Sequence, residues 1–124
     1  MDNPRTIVVA DDSSVARRSI RRSLEQAGWT VCGEAANGRE AIEKARRFRP
    51  QVVILDLSMP ELNGLKAARQ LKETMPEIRL ILFTMHGDVF RGNEAAAAGV
   101  SAVFSKTDPI SAVIKKAESL LCAA

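Results

Sequence analysis

Five polar side chains in this 124-residue sequence each stand at the end of a run of apolar residues. They are Asp11 and Asp12 after TIVVA, Asp56 after VVIL, Thr84 after LILF, and Lys106 after AVFS. If they meet, the acids need a counter-charge, because two carboxylates about 4 Å apart repel by roughly 4 kcal/mol at an effective dielectric constant near 20. A lysine supplies one positive charge, and a hard divalent cation such as Mg²⁺, which prefers oxygen ligands, supplies two more.

The elements that would bring these residues together alternate between strands and helices. Strands are predicted at TIVVA, TVCGEA, QVVILDL, IRLILFT and SAVFSK, each followed by a segment of helical length. This alternation predicts a parallel α/β sheet, and the almost unbroken apolar strands indicate helices on both of its faces. Ligands bind at the carboxyl ends of such strands. One of the five polar residues alone could equally be a helix cap or a surface ion-pair partner, but the complete set favours a site.

Local signals predict where the helices begin and end. Ser13 or Ser14 is predicted to cap the first helix, Gly28 to end it, Asn37-Gly38 to begin the second, Pro50 and Pro76 to close the second and third, and Asp108-Pro109 to begin the fifth. The fourth helix, Asp88 to Ala98, is predicted to be weak, because Gly92 in its middle costs about 1 kcal/mol relative to alanine.

Length and composition narrow the class of protein. The chain fits a single domain, residues 1–124, with 46% hydrophobic and 27% charged residues. No apolar run approaches the length of a membrane span, and the polar opening MDNPRT is not typical of a signal peptide, so a cytoplasmic location away from membranes is expected. Cys32 and Cys122 follow neither a disulfide nor a zinc pattern.

The net charge of +3 is partly concentrated in one predicted helix. Four arginines recur there at helical spacing: Arg17, Arg18, Arg21 and Arg22, opposite Ala16, Ile20, Leu24 and Ala27. Such a stripe is most often a solvated face, and the alternative is a docking surface for an acidic partner. Direct binding of nucleic acid by this domain is not expected.

The ordered motifs VVADDS, ILDLSMPELNGL, LFT and FSK resemble the receiver domains of bacterial two-component response regulators. The resemblance covers essentially the whole chain. It implies a doubly wound, flavodoxin-like (βα)5 domain, a three-layer sandwich with sheet order 2-1-3-4-5. It also implies a signalling domain that assists only its own aspartyl phosphorylation and dephosphorylation, not an enzyme with other substrates.

The resemblance also implies roles for the polar residues. Asp56 is the expected phosphoacceptor, with a phosphohistidine on a sensor histidine kinase or histidine phosphotransfer protein as donor. The implied Mg²⁺ ligands, with Mn²⁺ as a substitute, are Asp12, Asp56, the main-chain carbonyl of Ser58 and, mainly through water, Asp11. Lys106 would bind a phosphoryl oxygen, and Thr84 would move its hydroxyl toward the phosphoryl group.

Two positions depart from the family's pattern in ways that concern the switch and its rates. The switch aromatic is replaced by Val103, and Phe104 is expected to face the other side of its strand as a core residue. Met85 replaces a small residue and is expected to cover Asp56 in part, slowing phosphotransfer and hydrolysis. Ser58 and His86 lie where the family lines the route of attacking water.

The implied readout is a change in the face formed by the fourth helix, fifth strand and fifth helix, which would control a DNA-binding domain or protein target, with homodimerisation possible. The third departure is Thr107-Asp108-Pro109 after Lys106; with GEAANGREA it is more like receivers that precede a helix-turn-helix domain. Whether the chain is a natural single-domain receiver or part of a longer regulator stays open.

Three other classes compete with a phosphorylated switch. A pseudo-receiver, which binds proteins independently of phosphate, is favoured slightly by Val103 and Met85 and opposed by the intact acids, threonine and lysine. A haloacid-dehalogenase-like phosphatase would carry an aspartate where this chain has Ser58. A dinucleotide-binding domain is disfavoured because DDSS, rather than a glycine-rich turn, follows the first strand.

Overall fold

The five predicted strands form one parallel sheet in the computed structural model, which describes residues 5–85 and 92–122, without the side chains of residues 92, 93 and 122. The strands are β1 (Thr6–Ala10), β2 (Thr30–Ala35), β3 (Val52–Leu55), β4 (Arg79–Thr84) and β5 (Ala102–Ser105). Their order is β2-β1-β3-β4-β5, the flavodoxin-like order that the resemblance implies. The predicted fold class is confirmed.

Five helices cover the two faces of this sheet. They are α1 (Ser14–Gln26), α2 (Gly38–Phe48), α3 (Gly64–Thr74), α4 (Gly92–Ala97) and α5 (Ile110–Cys122). Alternate residues of each central strand enter different cores: in β3, Val53 and Leu55 pack with α2, α3 and α4, whereas Val52 and Ile54 pack with α1 and α5. Burial on both sides explains why the central strands are almost unbroken apolar runs.

The helix starts depend on short-range hydrogen bonds that the sequence predicts well. Ser13, rather than Ser14, caps α1 by accepting from the N–H of Ala16 at 3.2 Å, and Asn37 caps α2 by accepting from the N–H of Glu40 at 2.8 Å. Asp108 behaves differently: its carboxylate accepts from the backbone N–H of Ser105 at 2.9 Å, so it ties the start of α5 back to the end of β5.

The helix ends also follow the predicted pattern. Gly28, with φ +91°, lies just beyond α1, while α2 and α3 end two residues before Pro50 and Pro76 respectively. The predicted fourth helix is only partly described, because its start at Asp88 lies outside the described residues. Gly92 is the first residue of the described α4.

Two further features concern the thiols and the membrane. Cys32 is a half-buried free thiol, placed at an irregularity in the β1–β2 register, where its Sγ donates to the carbonyl of Ile7 at 3.5 Å. The side chain of Cys122 lies outside the described residues. Across residues 5–85 and 92–122, none of the helices has both the length and the apolar character that crossing a bilayer requires.

Candidate functional site

The carboxyl ends of β1, β3, β4 and β5 surround an open pocket of about 260 Å³. Its lining residues are Asp11, Asp12, Ser13, Asp56, Ser58, Thr84, Met85 and Lys106. All five strand-end residues that the sequence singles out are therefore brought together at one edge of the sheet. The parallel topology produces this arrangement, because it points every strand's carboxyl end in the same direction.

Asp56 lies at the centre of the pocket on the rigid end of β3. Its backbone N–H donates to the carbonyl of Ala10 at 2.9 Å, and its side chain is 10% exposed. The Lys106 ammonium lies 3.5 Å from its carboxylate. Burial raises the pKa of Asp56, and Asp11 adds to that rise, while Lys106 and hydrogen bonds from the Thr84 side chain and the Ser58 backbone act in the opposite direction.

Asp11 is held at all four of its polar groups. Its N–H donates to the carbonyl of Ala35 at 2.9 Å, and its own carbonyl accepts from Arg17 at 2.6 Å. One carboxylate oxygen accepts from the N–H of Ser13 at 2.9 Å, and the other binds the Lys106 ammonium. The side chain is almost completely buried, so Asp11 is a fixed anion within the site.

Asp12 differs from its neighbour in being exposed. Within the described part of the chain its carboxylate has no hydrogen-bond or ion-pair partner. One carboxylate oxygen from each of Asp11, Asp12 and Asp56 lies within 4.8 Å of the others. Three carboxylates face one ammonium group, and the surplus negative charge and the all-oxygen donor set both fit Mg²⁺.

The loop from Asp56 to α3 is fixed by two glycines that allow close backbone contact. A Cβ at Gly64 would lie 2.2 Å from the carbonyl oxygen of Asp56, and a Cβ at Gly38 would lie 2.1 Å from that of Leu62. The N–H of Gly38 donates to the same Leu62 carbonyl at 2.9 Å. The loop is therefore tightly packed against the starts of α2 and α3. This packing holds the segment from which Ser58 lines the pocket.

The comparisons with known proteins agree with this geometry. The response regulator receiver domain family matches residues 7–118. The chain belongs to this family. Chemotaxis protein CheY of Thermotoga maritima is 34% identical over 93 residues, which are 75% of this chain and 78% of that protein. Transcriptional regulatory protein PdtaR of Mycobacterium tuberculosis is 34% identical over 113 residues, covering 89% of this chain and 55% of that protein.

Solved structures show the same receiver fold. A LuxR-family two-component response regulator from Aurantimonas sp. SI85-9A1 has a TM-score of 0.89 at 30% identity, covering 97% of this chain and 86% of that one. The receiver domain of AraT from Geobacillus stearothermophilus has a TM-score of 0.84 at 29% identity, covering 96% of each chain. Several curated relatives are much longer, and the chain spans only 25% of a protein-glutamate methylesterase of Alkalilimnicola ehrlichii.

Two positions at which this chain departs from the receiver pattern are Val103 and Met85. Val103 packs with the core beneath α2, α3 and α4, and Phe104 packs with the opposite core, so the prediction that they face different sides of β5 is confirmed. Met85 lines the pocket and is 67% exposed, directly after the fully buried Thr84. His86 lies outside the described residues, and the roles of all these residues stay predictions.

The arginine stripe of the receiver divides into two pairs. Arg17 and Arg21 bind Glu34 on β2, whereas Arg18 and Arg22 are exposed and unpaired within the described residues. The contacts of Arg17 and the N–H of Ser13 were not predicted from the sequence as parts of the site. The contact between Arg17 and Glu34 depends on how α1 lies against β2, so no local signal marks it, whereas the N–H of Ser13 binds an acid only two positions earlier in the chain.

Proposed function

We propose that this receiver domain accepts a phosphoryl group on Asp56 in a Mg²⁺-dependent reaction. The donor would be the phosphohistidine of a sensor histidine kinase or histidine phosphotransfer protein. The observation that carries the proposal is the gathering of three carboxylates within 4.8 Å, with Lys106 in contact with both Asp11 and Asp56. A pseudo-receiver has no need of this charge arrangement.

The chemistry is a transfer between two nucleophiles. A bond forms between an Asp56 oxygen and phosphorus as the bond from phosphorus to the histidine nitrogen breaks, and the imidazole leaves with the electron pair. Mg²⁺, when bound, supplies positive charge to the phosphoryl oxygens. Lys106 neutralises charge from the other side, and β3 fixes the direction of Asp56; positioning and electrostatics supply most of the catalysis in phosphoryl transfer.

The metal ligands would be divided by how firmly each acid is already held. Asp12 is exposed and unpaired within the described residues, so it can bind the ion directly together with Asp56. Asp11 is held by Ser13 and Lys106, which favours contact through water. The Ser58 main-chain carbonyl would complete the protein ligands, and Mn²⁺, which also accepts oxygen ligands, would substitute.

The switch would begin at Thr84. Its hydroxyl already contributes a hydrogen bond to Asp56, and a phosphoryl group would offer it three stronger acceptor oxygens. The movement would pass to the face formed by α4, β5 and α5, with Val103 and Phe104 in place of the usual aromatic switch. The partner on that face would be a DNA-binding domain, a protein target or a second copy, and the setting would be the cytoplasm.

Intact-mass measurement after incubation with acetyl phosphate and Mg²⁺ tests the proposal. The expected result is a gain of one phosphoryl group that requires Mg²⁺ and disappears in Asp56→Asn. The exposed-acid variant Glu73→Gln is the control and should gain the group normally. A protein that gains no group, or an Asp56→Asn variant that still gains one, would support the pseudo-receiver or another acceptor. Turnover of an external phosphate ester would revive the hydrolase alternative.

A further inference from the structure

Arg17 connects three elements at the rim of the site. It lies in the first turn of α1, and its side chain is only 18% exposed. Its Nη1 donates to the carbonyl oxygen of Asp11 at 2.6 Å, and its Nε donates to a carboxylate oxygen of Glu34 on β2 at 3.2 Å. A solvated arginine on a helix surface would make neither contact.

Glu34 holds Arg17 in this position with the help of a second arginine. The other carboxylate oxygen of Glu34 accepts from Arg21 Nη1 at 2.7 Å, and Arg21 also donates to Glu25 at 3.2 Å. These hydrogen bonds, that from Arg21 most of all, hold the pKa of Glu34 below its usual range. Glu34 therefore stays ionised at neutral pH and keeps both arginines directed toward β2.

The carbonyl that Arg17 binds belongs to the peptide unit between Asp11 and Asp12. A peptide unit is planar, so fixing the direction of its oxygen fixes the plane from which Asp12 begins. The other polar groups of Asp11 are already bound by Ala35, Ser13 and Lys106. Asp12, by contrast, has no side-chain partner among the described residues, so its carboxylate depends on the backbone for its position.

We propose that Arg17 is a positioning residue for the metal site: by binding the Asp11 carbonyl while anchored to Glu34, it orients Asp12 toward the cation. This inference rests on the proposed function, because it concerns the Mg²⁺ that Asp12 and Asp56 would share. It separates Arg17 from the exposed arginines of α1, whose predicted role concerns partners. Groups that orient metal ligands commonly change metal affinity by 10- to 100-fold when they are lost.

Isothermal titration calorimetry of the whole chain with MgCl₂ tests the inference. Arg17→Ala is expected to raise the Kd for Mg²⁺ by about 10-fold, the lower end of that range. Phosphorylation by acetyl phosphate should slow at low Mg²⁺ and recover toward the wild-type rate at saturating Mg²⁺. Arg17→Lys, which retains one charged donor for the carbonyl, should lie between Arg17→Ala and wild type. The control is Arg46→Ala, which removes an exposed arginine from α2 and should leave the Kd unchanged.

Glu34, the partner of Arg17, allows a second test that does not require Arg17→Ala to fold. Glu34→Gln should also weaken Mg²⁺ binding, and its effect should not add to that of Arg17→Lys, because both act through one network. Thermal unfolding of each variant separates a loss of stability from a loss of affinity.

These measurements separate a failure of the proposed role of Arg17 from a failure of the proposed function. Equal Mg²⁺ affinity in wild type, Arg17→Ala and Arg46→Ala, with the wild type still phosphorylated, would overturn the role of Arg17 and leave the proposed function intact. A lower melting temperature of Arg17→Ala with an unchanged Kd would likewise overturn that role alone. A wild-type protein that neither binds Mg²⁺ nor gains a phosphoryl group would overturn both.

Discussion

At the scale of the residue, Asp56 carries a charge that the fold disfavours. Burial and Asp11 raise its pKa despite Lys106, so ionised Asp56 destabilises the folded protein wherever pH exceeds both its folded and unfolded pKa values. We expect Asp56→Asn to raise the free energy of unfolding at neutral pH in the absence of Mg²⁺. The gain should diminish as pH falls through the raised folded pKa and vanish below the unfolded value of about 3.9, where both states are protonated.

Urea denaturation of both proteins across this pH range measures the difference. Glu73→Gln, which removes an exposed acid outside the pocket lining, provides the baseline. A difference between Asp56→Asn and wild type that does not change with pH, or an Asp56→Asn protein that is less stable at neutral pH, would contradict the electrostatic account.

Met85 is the second residue whose effect can be isolated. Its side chain lines the pocket and has three flexible torsions, so it can lie across Asp56 even though it is 67% exposed. Met85→Ala should increase, several-fold, both the rate of phosphorylation by acetyl phosphate and the rate of hydrolysis of the aspartyl phosphate. Val15→Ala, which trims an exposed apolar residue outside the pocket lining, should change neither rate. Equal rates in Met85→Ala and wild type would contradict the prediction that Met85 covers Asp56 and slows both reactions.

The sequence identifies the site residues that end strands and misses those that support them. Asp11, Asp56 and Lys106 each follow a strand whose end could be located from local pattern, so topology alone brings them together. The contacts of Arg17 with Glu34 join residues on α1 and β2 that are 17 positions apart. Nothing in either segment reveals that pairing, because it depends on the packing of one helix against one edge strand.

At the scale of the element, the loop between β3 and α3 depends on Gly64. A methyl group there would meet the carbonyl oxygen of Asp56 at 2.2 Å, and backbone cannot move aside as a flexible side chain can. Gly64→Ala should lower the free energy of unfolding by about 1–3 kcal/mol, as overpacking typically does, and should also slow phosphorylation because the strain falls on Asp56.

Gly33→Ala is the matched control for that change. Its added methyl would meet the ring of Phe48 at 3.3 Å, and Phe48 is 40% exposed, so its ring can turn away. Urea denaturation should show a smaller loss for Gly33→Ala than for Gly64→Ala. Equal losses, or a Gly64→Ala protein phosphorylated at the wild-type rate, would show that the loop does not need the close contact.

Helix starts show that a cap signal does not fix which backbone N–H the side chain binds. Asn37 caps α2 through a residue three positions away, which a sequence pattern can predict. Asp108 follows an equally good pattern, yet its carboxylate turns back to Ser105 at the end of β5. Its position beside the strand offers an acceptor to a backbone N–H that the sheet leaves free, and no cap signal encodes that choice.

At the scale of the whole molecule, the three-layer architecture was predictable because strands buried on both faces must be apolar throughout. Alternate residues of β1, β3 and β4 do enter the two separate cores. The apolar pattern does not specify the order of the strands, because every central strand carries the same pattern. That order came with the resemblance to receiver domains and is confirmed by the sheet.

Binding of Mg²⁺ should be visible in the stability of the whole domain. An ion that binds only the folded state stabilises it by about 2.7 kcal/mol at a concentration of 100 Kd. The melting temperature should therefore rise with MgCl₂, and the rise should be absent in Asp12→Asn. Sodium chloride at matched ionic strength controls for screening. A melting temperature that responds equally to both salts would mean that the acids hold no specific ion.

The most direct measurement of the central claim is a crystal structure with Mn²⁺, located by its anomalous scattering. We predict one strong peak beside Asp12 and Asp56, bonded to both carboxylates and to the main-chain carbonyl of Ser58, with Lys106 still directed at Asp56. A pocket with no peak at saturating Mn²⁺, or a Lys106 side chain turned out to solvent, would contradict the proposed metal site.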